Sequence, residues 1–563
     1  MTLHPSDLRA GRLLFLFDLT WGGQVYRVAE DVVAPTLDGE TYTYTDGLEW
    51  GGSYQDKLAL FSIDPAVHSI TMTLNLADLV DVPAREAAGH VLGSATGLFR
   101  LWLEGTTEAR TILDGEVRQV EYGAAEEPVT ITLEEAPLRA PGRIPGELQR
   151  VKAPSDYDGD APSVLGQYYP YVFGRPGGTA VYAGFGSPAL VIELGLVSPS
   201  GGAKAVVAAH PCVPGDVTVQ NGDTRATAAS LSLATELDPT TGVLRTIVLL
   251  PKTNIGTDTS SPPDGVLDEI TDVPFYVGWR SGGLNPDGGG LPSRHDPTVP
   301  MRSAGEILTW LLERSGARVD YGRLVAAEPL LAGYQLDFAI VPGAEERVSP
   351  LEWVQDHLLP ILPLTARLGP NGLYYVVWRW DATEYDAVAR LSANEGGLLS
   401  RVSAVEYGDR DDVYQEIRFD YALSYSEDKH TETLTYTWDR QKAATDSTIV
   451  HHPSLYRSFI EYARGERHRV RVLELASDVV LSSATAHLVL QQLASRHGLQ
   501  SRGVRYDAEP ELAWLQPGDV VTITDDELHF DDEVALVESV EVTSEEAVGL
   551  GLRLLPTSRP RGT

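Results

Sequence analysis

The chain of 563 residues has a single cysteine, Cys212. One thiol excludes an internal disulfide framework and any cysteine-built zinc or iron–sulfur site. Basic residues are scarce: 44 Lys and Arg stand against 80 Asp and Glu, a formal charge of −36 at pH 7. A surface so acidic repels nucleic acid and anionic bilayers, and it keeps a large assembly in solution. Long apolar runs are also missing. No stretch approaches the roughly 18 residues of a membrane helix. Leu13 to Phe17 is the apolar run of the N-terminus, closed by Asp18 and without a basic flank, so it reads as a strand and not as a signal peptide. These absences predict a chain made and soluble in the cytosol. The hydrophobic fraction of 43% is ordinary for packed protein, and the length allows several domains.

What is present is mostly strand. "SITMTLNLADL" places Ile70, Met72, Leu74 and Leu76 at period two, with Thr71, Thr73 and Asn75 opposite. "LFRLWLEG" and "PVTITLEEAP" repeat the alternation, and Asp114-Gly115 reads as a tight turn between two strands. A short helix is expected near Pro83 to His90. Residues 1–150 thus form an N-terminal β domain. "APLRAPGRIPG" (Ala136 to Gly146) is a connector. It leads into a loop-rich β domain, 151–300, holding "TDTSSPPDG" and "SGGLNPDGGGLPS".

Helical grammar then appears. "SAGEILTWLLERSG" predicts a helix with a Ser303–Glu306 capping box and a stop at Gly316. "SPLEWVQDHLLP" repeats it with Ser349, Pro350 and Glu352. "TARLGPNGLYYVVWRW" is a hairpin turning at Pro370-Asn371-Gly372. These make a small α+β domain, 301–386. The remainder, 387–563, predicts a C-terminal β-barrel domain with one long helix (482–497), ended by Gly498, and four closing strands. The fold class is therefore mainly β, multi-domain, barrel- or sandwich-like, with an α+β insert.

Four constellations have the residue types of chemistry. Asp156, Asp158 and Asp160 resemble the start of a calcium loop, but Ala161 and Gln167 stand where that template needs Gly and Glu. Ser293, His295 and Asp296 collect the types of a hydrolase triad without its elbow motif. His451-His452 lacks a third ligand at a useful spacing. Asp525, Asp526 and Glu527 follow "PGDVVTIT" and lie where two strands turn, which predicts a charged barrel rim in water. Neither a phosphate-binding nor a dinucleotide motif occurs, and "GGLNPDGGG" neither follows a strand nor opens a helix. No catalytic, cofactor-binding or metal-ligating residue is assigned.

Several stretches share one resemblance. "GEVRQVEYGAAEEPVTITLEEAPLRAPGRIPG", "SVLGQYYPYVFGRPGG", "AGEILTWLLERSGARVDYGRL", "SPLEWVQDHLLPILPL" and "LAWLQPGDVVTITDDEL" resemble tail-tip and hub proteins of long-tailed bacteriophages and gene transfer agents. The resemblance implies a structural, non-enzymatic virion protein: a hub that closes the tail tube and carries the tip or fibres. It implies a homo-oligomeric ring, trimeric if two tube-like β domains per chain supply six around the axis. Its partners would be a distal tail protein, a tape-measure protein and tip or fibre proteins, with DNA passing an acidic lumen. The cysteine clusters of some relatives have no counterpart beside Cys212. Tyr168, Tyr169 and Tyr171 would then serve either neighbour contacts or a core strand. The alternatives are an envelope-degrading hydrolase using the Ser293–Asp296 loop, or a receptor-binding tip protein.

Overall fold

The computed structural model describes residues 12–555 except 38, 58–62, 65–68, 123–127, 136–141, 152–165, 178–186, 196–201, 222–223, 232, 239–240, 252–274, 280–287, 343–346, 370, 395–396, 426, 464–469 and 544–546. The chain is mainly β, as its alternating sequence predicts, with barrel-like and half-barrel sheets and few helices.

The N-terminal sheet is built around the antiparallel strands Leu13–Trp21, Thr96–Leu103, Ala109–Tyr122, Val129–Glu135 and Ser69–Leu74. Alternation sets their faces. In Val129–Glu135 every second residue is buried, and Ser69–Leu74 follows the same rule. Phe15, Phe17 and Phe99 are fully buried and meet Trp50 in one aromatic cluster. The expected short helix is present at Val82–Ala87, capped by the Asp81 carboxylate on the Ala84 N–H.

The Asp114-Gly115 turn is not there. Ala109–Tyr122 is one continuous strand of 14 residues that runs through both positions. Gly115 answers a close approach instead: a Cβ on it would lie 2.1 Å from the Glu134 carbonyl oxygen of the neighbouring strand. A glycine inside a strand often marks a close approach of another backbone.

At the other end of the chain a second large sheet runs in the order Ala389–Ser392, Val520–Asp525, Phe530–Thr543, Val548–Leu554, Arg502–Ala508, Leu398–Arg401. It takes in the early strand Ser53–Lys57, which pairs antiparallel with Phe530–Thr543. A single hydrophobic cluster contains Phe15 and Phe99 from the first sheet and Val537, Leu550 and Tyr506 from the second. Arg110 ties the two ends further, its Nη1 donating to the carbonyls of Ala513 (2.7 Å) and Leu515 (2.9 Å).

Between them lie a seven-stranded antiparallel sheet (Ser187–Gly195 to Phe275–Trp279 and neighbours) and the helices. Ala304–Arg314 buries Ile307, Leu308, Leu311 and Leu312, as its apolar spacing predicts, and ends before Gly316 at φ +81°. Its capping box does not form. Ser303 makes no side-chain cap bond, and the Glu306 carboxylate accepts the Arg294 backbone N–H. Ser349 does cap Pro350–Trp353, through the Glu352 N–H. The hairpin Leu364–Gly369/Gly372–Val377 forms in register. The long helix is Ser483–His497, with Ser482 on the Thr485 N–H and Gly498 behind it. It packs on the strands Glu416–Ser424 and Lys429–Thr437.

Buried in this middle region, His210 is held in one tautomer. Its Nε2 accepts the Val172 N–H at 3.1 Å, so the proton sits on Nδ1, 2.8 Å from the Pro211 carbonyl oxygen. Burial, with a smaller contribution from the Arg314 charge, pushes this imidazole down to about 4 from 6.5. The unfolded chain therefore takes up a proton that the folded chain refuses, and stability falls as pH drops from about 6.5 towards 4. At pH 5 the expected loss is about 2 kcal/mol, from about 1.4 kcal/mol per pH unit. Comparing denaturation at pH 7 and pH 5 checks this. His210→Gln, which keeps an acceptor for Val172, should flatten that part of the pH dependence; an unchanged slope rules the assignment out.

Candidate functional site

The Ser293–His295–Asp296 loop does not assemble a triad. Ser293 Oγ accepts the backbone N–H groups of His295 (3.2 Å) and Asp296 (3.4 Å), a local turn. Asp296 Oδ1 accepts from the Thr298 N–H and hydroxyl. His295 instead turns to Glu328, Nε2 to Oε2 at 2.8 Å, and this bond raises its pKa. The imidazole thus bonds neither Ser293 nor Asp296, and the three residues do not make the relay that triad chemistry requires. Arg294 joins the same strap through Glu313. Arg294 fastens the loop to the helix Ala304–Arg314, and His295 fastens it to the turn Glu328–Leu331.

His451 and His452 also read as structure. His451 Nε2 lies 3.4 Å from the Arg440 guanidinium Nε, and His452 stacks on Tyr436 at 5.6 Å between ring centroids. Burial and the neighbouring His451 push His452 down to about 4. Among the described residues no group of three or more His, Cys, Asp or Glu is placed to hold a metal ion. Asp156, Asp158 and Asp160 lie outside the described residues.

The acidic turn at the barrel end is only partly a wet rim. Asp526 and Glu527 are exposed, but Asp525 is buried. The Tyr506 hydroxyl donates to Asp525 Oδ2 at 2.7 Å, and Oδ1 accepts the N–H groups of Glu527 and Leu528. A buried carboxylate is tolerated where donors surround it. Asp525 therefore pins the turn by which Val520–Asp525 reverses into Phe530–Thr543. For the tyrosines the structure takes the second of the two readings, the core strand. Tyr168, Tyr169 and Tyr171 are 6%, 0% and 8% exposed, so they are core residues and offer no contact surface to a neighbour.

A site that sequence reasoning missed lies on the outer face of the C-terminal sheet, a groove of about 560 Å³. Alternation along Val548–Leu554 sends Val548, Leu550, Leu552 and Leu554 into the core, leaving Gly549, Gly551 and Arg553 for the other face. The register aligns them with partners: Ser539 opposite Gly551 and Glu541 opposite Gly549 on one side, Arg505 opposite Gly551 and Gly503 opposite Arg553 on the other. Glycines thus lower the floor between walls of longer polar side chains. Gln55, from the inserted early strand, pairs with Glu541 and closes one end. Tyr407, 65% exposed, stands at the opposite flank.

The groove's two arginines are each set against a glutamate, and Glu406 adds one further carboxylate. Arg553 Nη2 donates to Glu538 Oε1 at 2.8 Å, and Arg505 Nη2 lies 3.7 Å from Glu541 Oε2. Arg553 Nε is buried without a hydrogen-bond partner. The sequence held one signal for this groove: glycines alternating inside strands in "VGLGLRL" and after "SR" in "SRGVRYDA".

No curated protein matches the chain. Among solved structures it is similar to the tail protein from Neisseria meningitidis MC58, at 11% identity and TM-score 0.34 over 96% of each chain. It is also similar to the prophage MuSo2 43 kDa tail protein from Shewanella oneidensis, at 9% identity and TM-score 0.33, over 96% of this chain and 98% of that one. A chain of the virion of a native gene transfer agent particle aligns at 16% identity and TM-score 0.18, covering 47% of this chain and 80% of that one. Scores this low support no conclusion about this chain. The sequence match is more direct: residues 444–539, which include the long helix, the Pro517-Gly518-Asp519 turn and the first barrel strands, match the family described as "Putative phage tail protein".

Proposed function

We propose that the chain is a phage tail hub, a structural virion protein that closes or extends the tail tube and joins it to the tip or fibres. The observation that carries this reading is the family match over residues 444–539. In this reading copies of the chain form a closed ring, a homotrimer in which similar β domains alternate around the axis. A distal tail protein and a tape-measure protein sit on one side, and tip or fibre proteins on the other. The surplus of 36 negative charges supports a bore through which DNA slides without adhering, because counterion release gives it nothing to bind. The reading includes no catalytic step, no cofactor and no metal.

Purified full-length protein should form rings by negative-stain electron microscopy, with three-fold averages and a central opening, and should sediment as a trimer. A monomer at every concentration and salt tested overturns the hub. A particle in which the chain lies along a fibre shaft does the same.

A further inference from the structure

We propose that the glycine-floored groove on the outer face of the C-terminal sheet is a binding site for a neutral carbohydrate chain. This inference stands on the groove's own chemistry and does not require the hub reading.

Size is the first reason. A volume of about 560 Å³ lies within the roughly 300–1,000 Å³ of small-ligand sites. Charge is the second. Two guanidinium groups, Arg505 and Arg553, face three carboxylates, Glu406, Glu538 and Glu541. Both arginines lie against glutamates on the same sheet, so an anion meets no free positive charge, and the chain's strong net acidity repels it as well. For a cation, Glu538 and Glu541 are already engaged, and Glu406 alone falls short of the several oxygen ligands a cation site needs.

Hydrogen-bonding character is the third. Guanidinium, carboxylate, amide and hydroxyl groups stand together, mixing pure donors, pure acceptors and groups that do both. A run of hydroxyls, each donor and acceptor at once, is the ligand that satisfies such a mixture. At the flank the exposed ring of Tyr407 offers an apolar face for the C–H side of a sugar ring, with its hydroxyl free to bond.

An extended peptide fits less well. The floor strands Phe530–Thr543, Val548–Leu554 and Arg502–Ala508 are each paired on both sides. Their backbone groups are used within the sheet and give a peptide no ladder to extend.

The test uses the full chain on an array of defined neutral oligosaccharides, maltohexaose and chitohexaose among them, followed by calorimetry with the one retained most strongly. Two variants probe the groove. Gly503→Val fills the floor where a Cβ meets nothing closer than the Leu552 carbonyl oxygen at 3.8 Å, and it suits a strand, so the fold should survive. Tyr407→Ala removes an exposed ring. The expected result is retention that Gly503→Val abolishes and Tyr407→Ala weakens about tenfold, the scale of one aromatic contact. Three outcomes overturn the proposal: no neutral oligosaccharide retained, retention unchanged in both folded variants, or a folded Gly503→Val that loses self-association instead. The last makes the groove a contact between copies of the chain, and leaves the hub reading intact.

Discussion

Replacing Arg245 with alanine should destabilise the middle β region by about 3–5 kcal/mol, the range for removing one partner of a buried ion pair. Arg245 has 1% of its side chain exposed, and Asp238 has none. Its Nη1 donates to the Tyr169 hydroxyl at 2.6 Å and lies 3.4 Å from Asp238 Oδ2, while Nε and Nη2 reach Glu236 at 3.0 and 2.9 Å. Tyr169 in turn donates to Asp238 at 3.1 Å. Alanine removes the guanidinium that faces the buried Asp238 carboxylate, and the desolvation that this charge offsets, more than the lost bonds, sets the size of the effect. Lysine should rescue only part, since a point charge cannot bridge three acceptors as the planar fork does. Amide exchange along Leu244–Pro251 reads the local loss directly. The double variant Arg245→Met, Asp238→Asn should recover much of it by removing both charges. Exchange shifted by less than about 1 kcal/mol in Arg245→Ala would remove this network from the account of stability.

Phe99→Ala should cost a similar amount, about 3–5 kcal/mol, by a different mechanism. Phe99 is fully buried, stacked on Phe15 at 5.4 Å, with Trp50 edge-on at 5.4 Å and Phe17 at 6.5 Å. Truncation removes the ring's transfer free energy and leaves a cavity that paired strands on either side cannot collapse to fill. Protection should fall in Thr96–Leu103 and in Leu13–Trp21, its partner in the sheet. It should also fall in the C-terminal strands, because Phe99 and Leu550 belong to one cluster. Phe99→Leu, which keeps most of the volume, should cost far less. Loss confined to the N-terminal strands shows that the two sheets open independently and refutes the shared core.

The long helix Ser483–His497 was legible because its local signals agreed: a helical run, Arg496 and His497 near its end and Gly498 after it. The strands at 69–74 and 129–135 were legible because alternation directly encodes which face is buried. Gly115 was misread, since a strand interior and a turn both use glycine and only the neighbouring strand distinguishes them. Ser303 and Glu306 had the right spacing for a capping box. A distant partner, the Arg294 backbone N–H, took the Glu306 carboxylate that the box would have used. The acids at 525–527 looked alike in sequence; burial under Tyr506 separates Asp525 from the other two.

Local pattern by itself determined the mainly β class, the two longest helices, the strands with clear alternation, and the resemblance to phage tail proteins. Such signals lie within a few residues of one another and depend only on backbone period and capping chemistry. Tertiary structure decided that Ser53–Lys57 joins a sheet whose other strands begin at residue 389, that three tyrosines are core, that His295 serves Glu328, and that glycines on adjacent strands make a groove. Each is a pairing between residues far apart in the chain, set by register and burial, which a linear pattern does not encode.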